Sequence, residues 1–168
     1  TGNITINASG GTLAITGSGS LNSGSYAGSI VDNATFIYSS SATQTLSGVI
    51  SGTGALTKDT DTSSVLTLSN ASNSYSGITT ISAGTIAVTV NNALGTNGSG
   101  TTIGANGTLD LQNVTYSTTE ALTVNGGTIK TSTGTSSFAG TISLGANSTV
   151  DVGGTQLTLS GIISSSST

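Results

Sequence analysis

The sequence predicts an all-β chain wound as a parallel β-solenoid, with about 20–23 residues in each coil. Three observations carry that expectation. Thr, Ser, Gly and Asn supply 33, 30, 25 and 13 of the 168 residues, so helix-building side chains are scarce. Apolar residues alternate with small polar ones at period two, the spacing of a half-buried strand. One five-residue phrase also returns at a nearly constant interval, which is the mark of a repeat architecture.

The phrase has the form Gly-Thr-apolar-x-apolar. In chain order it reads GTLAI at 11–15, ATFIY at 34–38, a weaker GALTK at 54–58, GTIAV at 84–88, GTLDL at 107–111, GTIKT at 127–131 and STVDV at 148–152. The first two starts lie 23 residues apart, and the last four are separated by 23, 20 and 21. Upstream sits a second alternating piece, such as Ile4-Thr5-Ile6, Leu66-Thr67-Leu68, Leu122-Thr123-Val124 or Ile142-Ser143-Leu144. The breaks at Ala105-Asn106-Gly107, Asn125-Gly126-Gly127 and Gly145-Ala146-Asn147 hold residues that tolerate tight turns. Such phrases could form antiparallel hairpins, but a sandwich has no need of a constant period. Coils stacked about 4.8 Å apart do need one, because each must bring its strands into register on the coil before. The expected inward columns are Leu13/Phe36, Ile86/Leu109/Ile129/Val150 and, two residues on, Val88/Leu111/Thr131/Val152. About eight coils are expected for a chain of this length.

A longer repeat overlies the short one. YAGSI at 26–30 matches FAGTI at 138–142, an offset of 112, and QTLSGVIS at 44–51 matches QLTLSGIIS at 156–164 with one insertion. Residues 1–168 thus read as a single β-helix segment with about 1.5 copies of a unit near 112 residues, expected to belong to a longer repetitive chain.

Composition removes several function classes. Cys, His, Pro, Met and Trp are absent, and Lys58 and Lys130 are the only basic residues, so thiol nucleophiles, histidine bases, Cys/His zinc sites and arginine clamps have no residues to build them. A net charge of −4 excludes the basic face that nucleic acid requires. No apolar run approaches the roughly 20 residues of a membrane-spanning helix, and residues 1–6 show neither the basic region nor the apolar core of a signal peptide, so any export signal is expected outside this chain. The expectation is a protein with no enzymatic activity and no cofactor.

Residues 47–88 supply a specific resemblance. Their match runs through Ser47-Gly48-Val49-Ile50-Ser51-Gly52-Thr53-Gly54, Leu56-Thr57-Lys58, Leu66-Thr67-Leu68-Ser69, Asn73, Tyr75, Gly77, Thr79-Thr80-Ile81 and Gly84-Thr85-Ile86-x-Val88. The order and spacing resemble the autotransporter-associated β-strand repeat of bacterial passenger regions. Two departures stand out: Asp59–Ser64 replaces a glycine-rich turn, and Ile78 replaces a usual second glycine. The resemblance implies a right-handed parallel β-helix on the bacterial cell surface or outside the cell, followed elsewhere by a membrane barrel.

Few side chains suggest chemistry. Asp59 and Asp61 could begin a calcium loop, although two carboxylates are few for a hard cation and a solvated corner beside Lys58 is the plainer reading. Asp110, Glu120 and Asp151 are the arithmetically available acids for glycoside hydrolysis. Asp110 and Asp151 occupy the fourth place of the phrase, as Lys130 does, so a structural charge ladder of Asp110, Lys130 and Asp151 on an outer face is expected. That fourth place holds Ala14, Ile37, Ala87, Asp110, Lys130 and Asp151, which is no threonine array of the kind that binds ice. Tyr26 and Tyr38 are expected inside. The leading functional expectation is an extracellular stalk or filament segment of a surface protein, stacked head-to-tail on neighbouring repeats of its own or identical chains. The alternative is an adhesin module that contacts glycans or host cells.

Overall fold

The computed structural model describes residues 2–60 and 63–165. It is about 53% strand, and its parallel sheets stack as a β-solenoid of about seven turns, one fewer than expected. The pairing is parallel between all named strands, and an isolated bridge between Gly104 and Gly126 is antiparallel. A short 3-10 turn at Asn22–Gly24 interrupts the strands of the first coil. No helix among the described residues is long and apolar enough to cross a membrane.

The longest sheet contains two strips that meet at a corner. The first strip stacks Thr12–Gly17, Thr35–Ser40, Ala55–Asp59, the first part of Thr79–Val88, the first part of Thr101–Leu111, Leu122–Asn125, Ile142–Ala146 and Ile163–Ser165. Partners along it recur every 20–23 residues: Thr12 with Thr35, Thr35 with Ala55, Leu56 with Thr79, Thr79 with Thr101, Thr101 with Leu122, Leu122 with Ile142 and Ile142 with Ile163. The second strip stacks Gln44–Leu46, Val65–Leu68, the later parts of the two long strands, Thr128–Thr131 and Thr149–Val152. Two smaller sheets complete the coils, Ile4–Ile6 with Ile30–Asp32 and Ile50–Ser51, and Thr115–Tyr116 with Thr135–Phe138 and Gln156–Leu159.

The expected columns exist in this register. Leu13 pairs with Phe36. Ile86, Leu109, Ile129 and Val150 follow one another as register partners, but Val150 and Val152, expected inside, are 54% and 50% exposed, because Thr149–Val152 pairs on one side only among the described residues. Val88 pairs with Leu111 and Thr131 with Val152, and the Thr131 hydroxyl donates to the Leu111 carbonyl at 2.7 Å. Ile86, Leu109 and Ile129 are buried, and burying such a side chain contributes about 1.5–3 kcal/mol.

One reading of the sequence is corrected by the register. The phrases at 11–15, 34–38 and 54–58 lie on the first strip, whereas those at 84–88, 107–111, 127–131 and 148–152 lie on the second. Residues 85–88 stack on Val65–Leu68, while Lys58 stacks on Tyr38 and Ile81. The cause is that both strips use the same alternation of apolar and small polar residues, so the phrase alone does not say which strip it occupies. The corner itself depends on Gly107, where an added Cβ would fall 2.1 Å from the Ile81 carbonyl oxygen. A register shift between Ile81 and Ala83 changes the side that even-numbered residues face, so Ile81 and Ile86 both point inward.

Candidate functional site

Three arrangements of polar side chains arise from this stacking. The first is the row of charges on the second strip. Lys130 is the register partner of Asp110 on one coil and of Asp151 on the next. Lys130 Nζ lies 3.1 Å from Asp151 Oδ2, and the two side chains are 35% and 47% exposed. Asp110 is only 5% exposed and its oxygens are occupied elsewhere. Its Oδ1 accepts from the Ser132 backbone N–H at 2.9 Å; its Oδ2 accepts from the Ser132 hydroxyl at 2.7 Å and from Gln112 Nε2 at 2.8 Å. Ser132 and Gln112 each stand two residues beyond Lys130 and Asp110, on the same outer face, so a rigid amide and two short donors reach Asp110. The lysine therefore pairs with one acid of its row, while the other is closed over by neighbours.

The second arrangement is a rank of hydroxyls on the outer side of the first strip. Thr57, Thr80, Thr102, Thr123, Ser143 and Ser164 are consecutive register partners over six coils. The fourth place of the phrase hides this rank because it mixes two strips. The signal was present in Leu122-Thr123-Val124 and Ile142-Ser143-Leu144, whose central residues face out. Two residues on stand Ser82, Gly104, Asn125 and Gly145, so the rank is a single file rather than a paired threonine surface.

The third arrangement lies inside. Thr79 and Thr101 are buried register partners in the column that otherwise holds Phe36, Leu56, Leu122 and Ile142. The Thr79 and Tyr75 hydroxyls are 2.8 Å apart, and the Thr101 hydroxyl donates to Glu120 Oε1 at 2.8 Å. Among the described residues, Glu120 Oε2 is buried without a hydrogen-bond partner. Burial pushes the Glu120 carboxyl up to about 7, against the opposing pull of the Thr101 bond. Burial likewise raises the hydroxyls of Tyr75 and Tyr116 well above the usual tyrosine range. Asp32 is also buried and raised by desolvation, although the backbone N–H groups of Ala34 and Phe36 oppose the shift. Tyr26 and Tyr38 are buried, as are Tyr75 and Tyr116.

The remaining candidates separate. Asp59 is exposed and accepts from the hydroxyls of Ser39 and Thr60; Asp61 lies outside the described residues. Lys58, read from the sequence beside a solvated corner, is buried instead, donating to the carbonyls of Thr60 and Ala83 with its ammonium 5.9 Å from the Tyr38 ring centroid. Its position follows from alternation, since Leu56 and Lys58 share the inner side of Ala55–Asp59. Among the described residues, no group of three or more His, Cys, Asp or Glu side chains could hold a metal ion. Glu120 faces the interior and shares no face with Asp110 or Asp151.

Residues 63–88 match the family described as passenger-associated-transport-repeat. The matched stretch contains Val65–Leu68, Tyr75 and Thr79–Val88, so it spans a complete coil from the second strip back to itself. No curated protein and no solved structure matches the chain.

Proposed function

With residues 63–88 carrying a passenger repeat on a β-solenoid, we propose that this chain is a non-enzymatic stalk segment of a secreted or surface-displayed autotransporter passenger. The observation that supports this is the continuous parallel pairing of the first strip, coil to coil, from Thr12 to Ser165. A parallel ladder of that kind makes a stiff rod whose length is set by the number of coils. Such a segment holds whatever it carries at a fixed distance from its anchor.

Removing one whole coil tests the reading. Val88 and Leu111 are register partners, so deletion of residues 89–111 joins Val88 to Gln112 without changing the strip that follows. The shortened protein should remain a folded rod, shorter by about 4.8 Å, with its remaining coils intact. Scattering or electron microscopy reads the length. A collapsed or unfolded product would overturn the stalk reading. The second reading, an adhesin that binds glycans or host surfaces, is favoured by the hydroxyl rank from Thr57 to Ser164. A glycan array probed with the parent and with a Thr80→Val/Thr102→Val/Thr123→Val variant separates the two: binding lost in the variant assigns the rank to a ligand, and silence in both favours the stalk.

A further inference from the structure

Glu120 lies outside both the stalk reading and the hydroxyl rank. It precedes Leu122–Asn125, and its side chain enters the interior, where 1% of the residue is exposed. The Thr101 hydroxyl reaches Oε1 from the preceding coil, and among the described residues Oε2 finds no donor. From the following coil, Gly140 packs directly on the Glu120 backbone: an added Cβ there would fall 1.6 Å from the Glu120 carbonyl oxygen. Glu120 is thus enclosed above and below by the stack. Among the titratable groups, Tyr116 lies four residues earlier, and Tyr75 feels the charges of both Glu120 and Asp32. The hydroxyl of Tyr116 is engaged by the Leu94 N–H at 3.0 Å and that of Tyr75 by Thr79.

We propose that Glu120 is a pH latch in the middle of the solenoid: the coil that carries it is held closed while its carboxyl is protonated and loosens when the carboxyl ionises. A carboxylate there would bring a full charge into a space that offers it one hydroxyl donor. The protonated acid brings no charge there, and an unpaired neutral hydroxyl costs less than an unpaired carboxylate oxygen.

The direction follows from linkage. Glutamate ordinarily loses its proton near 4.5, whereas burial holds the Glu120 proton up to about 7. Between those values the folded chain binds more protons than the unfolded one. The latch's contribution is therefore fully present below about 4.5, declines as pH rises, and is lost above about 7. The equilibrium constant for folding falls by at most about tenfold per pH unit across that window. Asp32, raised by the same cause, adds a dependence of the same sign.

Urea unfolding of the parent and of Glu120→Gln between pH 4.5 and 8 tests the latch. The parent should lose stability steadily towards pH 7, whereas the Gln variant, neutral throughout, should retain only the smaller slope that Asp32 contributes. Parallel slopes in the two proteins would overturn the proposal. Should the variant fail to fold, the carboxyl carbon of Glu120 in the labelled parent still decides by NMR titration. A midpoint near 7 supports the latch, and one in the ordinary glutamate range overturns it.

Discussion

The inward column Ile86/Leu109/Ile129 is apolar on each coil, whereas the inward column of the adjoining strip runs Leu13/Phe36/Leu56, turns to Thr79 and Thr101, and returns to Leu122 and Ile142. Both columns are buried in the middle of the molecule. In the first, side chains are held by contact alone, and any coil could exchange an aliphatic residue with the next. In the second, each threonine has its own polar partner: Tyr75 for Thr79, from four residues upstream, and Glu120 for Thr101, from the following coil. A repeating column therefore accepts a hydroxyl where a turn beside it supplies a partner, and the partner makes that coil unlike its neighbours. The repeat is uniform in backbone and local in chemistry.

Truncating the apolar column should have the largest effect. Leu109→Ala removes a fully buried side chain between Ile86 and Ile129 and should cost about 2–5 kcal/mol, measured by denaturant unfolding. A loss below 1 kcal/mol would mean that the coils close around the gap, and that the column is not packed as tightly as its burial indicates.

In the polar column the effect should be smaller and should depend on pH. Thr101→Val keeps the shape but removes the hydroxyl that stabilises the Glu120 carboxylate, and should cost about 1–3 kcal/mol at pH 8. Because that bond is what lowers the Glu120 value, its loss raises the value further, so the variant should recover towards the parent at pH 5. Equal losses at both pH values would show that Thr101 matters by packing and not through Glu120.

The outer face should respond least, and unevenly. Asp110→Ala deprives the Ser132 amide, the Ser132 hydroxyl and Gln112 of their acceptor, with an expected loss of about 1–2 kcal/mol. Lys130→Asp breaks one half-exposed ion pair with Asp151 and places like charges in register. Its cost should stay below about 1 kcal/mol at low salt and fade as salt is added. Thermal unfolding of the two variants at low and high salt should rank Asp110 first; the reverse ranking would make the row a cooperative charge ladder after all.

The sequence alone determined the parallel solenoid, its coil of 20–23 residues and the register from Ile86 to Val150, with Ile86, Leu109 and Ile129 inside. Those features depend on period two within a strand and on the return interval between strands, and both are one-dimensional properties that can be counted along the chain. Only the tertiary structure decided which strip each phrase joins, because identical alternation serves either strip and a bulge near Ser82 changes which residues face inward. Only the tertiary structure, too, separated Asp110 from Asp151 and took Lys58 and Glu120 inside. The surroundings of each of these side chains come largely from neighbouring coils about 20 residues away, so the same acid at the same place in the phrase is enclosed by Gln112 and Ser132 on one coil and left to meet Lys130 in solvent on another.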